Sequence, residues 1–183
     1  MKNLFNSIIK GSLCFLIIAA LTQNSFATVS SPQPRKAILT DFNRINVKGR
    51  VQLIIKQRPS VGIIFDEDNV GDARVIQSGH ILHITGKSNV PAKLVVYVTD
   101  IFRIIASDQA NIQIDDKVEI KHLQVFLEGN ATADINIKSE SLYTNLDDSA
   151  KLTLKGSTGS LTVDRSDSSK LILDGFKESR VSK

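Results

Sequence analysis

The sequence predicts an all-β chain: a single domain built as a right-handed β-helix, or a closely related β-prism, with about four short coils in its C-terminal half. Three observations predict it. A thirteen-residue pattern is written four times, as FRIIASDQANIQI from Phe102, VFLEGNATADINI from Val125, LYTNLDDSAKLTL from Leu142 and LTVDRSDSSKLIL from Leu161. The copies start 23, 17 and 19 residues apart, a period typical of stacked solenoid units. No window carries sustained helical periodicity, whereas alternation of apolar and polar residues runs through the chain after Ile38.

At the N-terminus, residues 1–27 have Lys2 and Lys10, an apolar run from Leu13 to Leu21, and Ser25-Phe26-Ala27 in the small-x-small pattern of a cleavage site. This is the pattern of a secretory signal peptide, removed from the mature protein. The run falls short of the roughly twenty apolar residues needed to span a bilayer, and no later run is longer, so no membrane span is expected in the mature chain. Cleavage after Ala27 removes two lysines and no acids, so the net charge falls from +4 to +2. A nearly neutral chain lacks the concentrated positive charge of a nucleic-acid binder. Cys14 leaves with the signal, and Leu13 before it is not the small residue a lipoprotein site requires, so the mature chain has no cysteine chemistry. The expected location is therefore exported: periplasm, outer surface or extracellular.

Residues 28–37, with TVSSPQPRK, form a polar tether with two prolines. The folded domain is expected over 38–183. Ile45 and Val47 lead through Gly49 into Val51, Leu53 and Ile55. Arg58-Pro59-Ser60 turns the chain into Val61, Ile63 and Phe65, and Asp66–Asn69 is a solvated loop. Val75-Ile76, then Ile81 to Ile84 after Ser78-Gly79, then Leu94–Val98 after the turn at Gly86–Pro91 complete a series of short strands.

In each repeat, alternation at both ends describes two strands with one buried face each. Between them lies a turn-forming run: Ser107–Gln109, Gly129–Thr132, Asp147–Ser149 and Ser166–Ser169. A small residue recurs at the ninth position (Ala110, Ala133, Ala150, Ser169) and an aliphatic at the eleventh (Ile112, Ile135, Leu152, Leu171). One such unit cannot bury its apolar face alone, but stacked units share a continuous interior.

Asp41–Gln57 (DFNRINVKGRVQLIIKQ), Val61–Val70 (VGIIFDEDNV), Ser78–Gly86 (SGHILHITG) and Asn145–Gly156 (NLDDSAKLTLKG) together resemble the auto-transporter adhesin head family, also called the GIN domain. The resemblance covers about Asp41 to Phe176. Thr99-Asp100 stands where that family usually has a proline, and the turns are poorer in its Ser-Gly pattern. The resemblance implies an exported β-helical domain with an adhesin-like role.

Few constellations could carry chemistry. Stacking would align Asp108, Asp148 and Asp167 on one edge, interrupted by Ala131; convergent oxygens of this kind hold Ca²⁺ elsewhere, but Asp and Ser also simply make turns. His80, His83 and His122 are the only imidazoles, and strand alternation sends the first two to opposite faces, so no metal site is expected. Asp115-Asp116, Lys138, Lys155 and Asp174 follow the thirteenth position with mixed signs and no nucleophile, base and orienter among them, so no catalytic residues and no cofactor are expected. Lys151 and Lys170 fall on a solvated face below Asp134 and Asn111. With 5% aromatic residues and no Trp, composition argues against a surface for stacking bases or sugar rings.

The reading is a non-catalytic exported domain for adhesion or cell-envelope surface interaction, meeting an envelope protein or a glycan. The alternatives are a periplasmic structural or regulatory binding protein and, on the same scaffold, an enzyme acting on acidic polysaccharides.

Overall fold

The computed structural model describes residues 39–179, so the expected signal peptide and tether lie outside the described residues. The described chain is all-β, with twelve strands and no helix. These are β1 (Arg44–Lys48), β2 (Val51–Gln57), β3 (Gly62–Phe65), β4 (Ala73–Ser78), β5 (Ile81–Gly86), β6 (Ala92–Val98), β7 (Arg103–Ser107), β8 (Asn111–Leu127), β9 (Thr132–Leu146), β10 (Lys151–Arg165), β11 (Lys170–Leu173) and β12 (Lys177–Glu178).

All belong to one mixed sheet. The long strands β8, β9 and β10 are each used twice. Their first halves continue the path β3–β6–β2–β8–β9–β10–β11. Their second halves continue β4–β5–β1–β7–β8–β9–β10. Every neighbour on these paths is parallel except β3 and β4, which run antiparallel at the first end. The sheet is thus not purely parallel. An antiparallel partner needs only a tight link, here Gly79 at φ 56° between β4 and β5, whereas another parallel strand would need a long crossover.

The repeat register differs from the one the pattern suggests. Leu123, Leu142 and Leu161 stand in one row, as do Ile104, Val125, Thr144 and Val163. The second copy therefore begins two residues earlier, at Leu123, and the copies start 21, 19 and 19 residues apart. The first interval is two residues longer than the others because of a bulge. Ile114 pairs with Ile135 and Val118 with Ile137, so Asp115-Asp116-Lys117 oppose Asn136 alone. A slip of two leaves the inward and outward faces unchanged, which is why alternation does not expose it.

In the observed register the small column is Ala110, Ala131, Ala150 and Ser169, all buried. Each closes its turn by donating its N–H to the carbonyl three residues back, at 3.2–3.3 Å. Beyond it, Ile112, Ala133 and Leu152, then Ile114, Ile135 and Leu154, form buried rows of a single core. Ile135 and Leu152 are both buried as expected, but they are not direct neighbours: Leu152 lies beside Ala133, and Leu154 beside Ile135.

Candidate functional site

The acidic edge is built by the turns. Asp108 and Asp148 both adopt positive φ, 63° and 58°, and Gly129 at 72° occupies the corresponding place between them. Gly129, not Ala131, is therefore the residue that interrupts the column; Ala131 points into the core. Asp and Gly recur here because the turn needs a left-handed residue that few others tolerate. The Asp148 carboxylate accepts the Gly129 N–H at 3.2 Å, and the Asp108 carbonyl accepts the Asn130 N–H at 2.8 Å. The edge thus holds adjacent turns together. Among the described residues, no group of three or more His, Asp or Glu is placed to hold a metal ion.

The three histidines stay apart. His80 lies in the turn before β5 with Nδ1 3.2 Å from the Asp41 carbonyl. His83 is on β5 beside Asn46, and His122 on β8 is hydrogen-bonded to Ser141 Oγ at 2.8 Å.

The mixed-charge residues form an ion-paired strip. Lys155 Nζ lies 3.0 Å from Asp134 and 4.0 Å from Asp174. The hydrogen bond that Lys155 donates to Asp134 and the charge of that carboxylate, with Asp174 and Asp115 adding less, hold the ammonium above its usual 10.5. Lys138 stands in a different row and pairs with Glu119 at 3.2 Å. Asp116, in the bulge, lines an open hollow of about 410 Å³ with Gln57, Arg58, Pro59, Lys117 and Val118. Lys151 and Lys170 are side by side in a row with Thr132 and Asn111; Asp134 belongs to the next row.

A further surface escapes a reading of composition. On the outward face of the path through β1, β7, β8 and β9, Arg44, Arg103, Gln124 and Tyr143 stand in one row. Ile105, Phe126, Asn145 and Asp164 stand in the next. Outward positions are ordinarily polar, yet Ile105, Phe126 and Tyr143 are half-buried apolar side chains on three successive strands. The Phe126 and Tyr143 ring centroids are 5.6 Å apart, tilted by 50°. The Arg103 guanidinium lies 5.3 Å from the Phe126 centroid and 5.8 Å from that of Phe102, and its Nε donates to Gln124 Oε1 at 2.8 Å. The aromatic residues are few, but stacking gathers three of them. Phe126 and Tyr143, both at the second position of their copies as the pattern is written, were the available signal; the observed register sets them in adjacent rows on the same face.

The family described as "Putative auto-transporter adhesin, head GIN domain" matches residues 41–182. No curated protein sequence matches the chain. Two solved structures from Parabacteroides distasonis resemble it in fold. One, described as a "putative adhesin", has a TM-score of 0.59 at 15% identity, over 79% of this chain and 74% of that one. The other, described as a "putative lipid binding protein", has a TM-score of 0.59 at 12% identity over the same shares.

Proposed function

The chain belongs to the family of auto-transporter adhesin head GIN domains, and from that premise we propose that it is an exported, non-catalytic binding domain acting at the cell envelope. We read its fold as a short right-handed β-helix. Support for this comes from the doubled use of β8, β9 and β10 and their near-constant 19-residue step. In this reading the coil is a rigid frame that displays outward sheet faces, and one of those faces meets the partner.

The observation that carries the reading is the contrast between the faces. Asp148 on the turn edge, and Asp134 and Asp174 in the Lys155 strip, are engaged in holding neighbouring strands together. On the face with Phe126 and Tyr143, aromatic and cationic side chains are presented outward beyond what packing requires. A catalytic carboxylate pair would need its acids turned to a substrate, whereas Asp134 and Asp174 are both taken up by Lys155.

The test is attachment. The purified mature domain, residues 28–183, should bind intact cells or isolated envelope, and protease treatment of intact cells should remove the protein if it acts outside. Attachment with protection from protease would favour the periplasmic alternative. No attachment to any envelope fraction would rule the proposal out.

A further inference from the structure

We propose that the face bearing Arg44, Arg103, Phe126 and Tyr143 binds a glycan that carries a carboxylate, of the uronate or sialate kind. The inference deepens the binding-domain reading and rests on it.

Arg44 and Arg103 are direct neighbours on β1 and β7, with outward side chains. Like charges in opposed positions cost stability. Among the described residues no carboxylate forms an ion pair with either one. A fold optimised only for packing has no use for this pair, but an anion supplied from outside completes it. The guanidinium fork matches a carboxylate in two parallel hydrogen bonds. Arg103 is also already oriented, held by the Gln124 amide and stacked against Phe126, so little freedom is lost on binding.

The rings supply the other half of the site. Phe126 and Tyr143 follow Arg103 on the next two strands, and a sugar presents a face of C–H groups that packs on an aromatic ring while its rim needs hydrogen bonds. Gln124 Nε2 and Asn145 Oδ1 face that rim, the other ends of the two amides being held by Arg103 and by Asp164, whose exposed carboxylate sets the far border of the site for an anion. From Arg44 to Tyr143 the row crosses three strand spacings, about 14 Å in all, which is room for a short oligosaccharide laid across the strands. A sheet face with amides beside the rings suits such a chain better than a peptide, which would seek a free strand edge.

The experiment is calorimetric titration of the mature domain with trigalacturonate and 3′-sialyllactose, each beside its neutral counterpart, galactotriose and lactose. At least one acidic probe should bind, with its neutral counterpart weaker by about tenfold or more. Arg44→Gln, on an exposed side chain, and Phe126→Ser should each weaken the acidic probe by about tenfold, and Lys170→Gln, in another row, should not. The inference is overturned if neither acidic probe binds, if charge makes no difference, if Arg44→Gln leaves affinity unchanged, or if the domain binds only phosphatidylglycerol vesicles. Envelope attachment without affinity for either probe would sink this inference alone. Affinity for a probe without envelope attachment would keep the site and remove the adhesion-like role.

Discussion

Leu152 lies directly beside Ala133 on the neighbouring strand, both inside the core, while the next residue, Thr153, faces outward beside Asp134. That alternation fixes what substitution should do. Leu152→Ala removes a fully buried side chain next to an alanine that cannot fill the gap, and should cost about 2–5 kcal/mol. Thr153→Ala should stay within about 0.5 kcal/mol. Urea melts of both variants beside the parent measure the difference; equal damage would contradict the assignment of Leu152 to the inside and Thr153 to the outside.

Thr144 carries the opposite expectation. It is fully buried in the row with Val125 and Val163, and its hydroxyl has no hydrogen-bond partner. A buried, unmatched hydroxyl costs about 1–3 kcal/mol, and valine has nearly its shape. Thr144→Val should therefore raise stability by up to that amount, read in the same melts.

Gly156 should tolerate no side chain. Its φ is 96°, and a Cβ would lie 2.0 Å from the Ile137 carbonyl oxygen, which is backbone and cannot step aside. Gly156→Ala combines strain with overlap and should cost on the order of 3 kcal/mol or more. A melt within experimental scatter of the parent would show that the corner between these strands is looser than its geometry.

Lys155 gives a pH test. Its pKa is raised above 10.5 in the folded state, chiefly by the Asp134 hydrogen bond. The stabilisation is then fully present below the unfolded value and is lost as pH rises through the folded one. The stability difference between the parent and Lys155→Gln should hold steady up to that ordinary lysine value and shrink above it. Because the pair is exposed, the difference should be small throughout. A difference that grew with alkaline pH would contradict the assigned partner.

These residues also show what the sequence made legible. Strands, inward faces and family could be read because alternation and turn chemistry are local properties of the chain. The register could not, because Ala131 and Ala133 both satisfy a demand for a small residue, and a slip of two preserves every face. The bulge at Asp115–Lys117, by lengthening the first interval to 21, hid the constant step of 19 that would have fixed the register. The aromatic face was hidden for a related reason. Composition averages Phe102, Phe126 and Tyr143 over the whole chain, whereas stacking brings together residues about twenty apart in sequence.

In the proposed function the Phe126–Tyr143 face, and neither the acidic turns nor the Lys155 strip, meets the partner. The most direct measurement compares envelope attachment of Phe126→Ser, Asp148→Asn and Lys155→Gln, each first checked by thermal melt to be folded. Attachment should fall about tenfold or more for Phe126→Ser and stay at the parent level for the other two. Full attachment by folded Phe126→Ser, with loss in Asp148→Asn or Lys155→Gln, would contradict the account and move the site to the other surface.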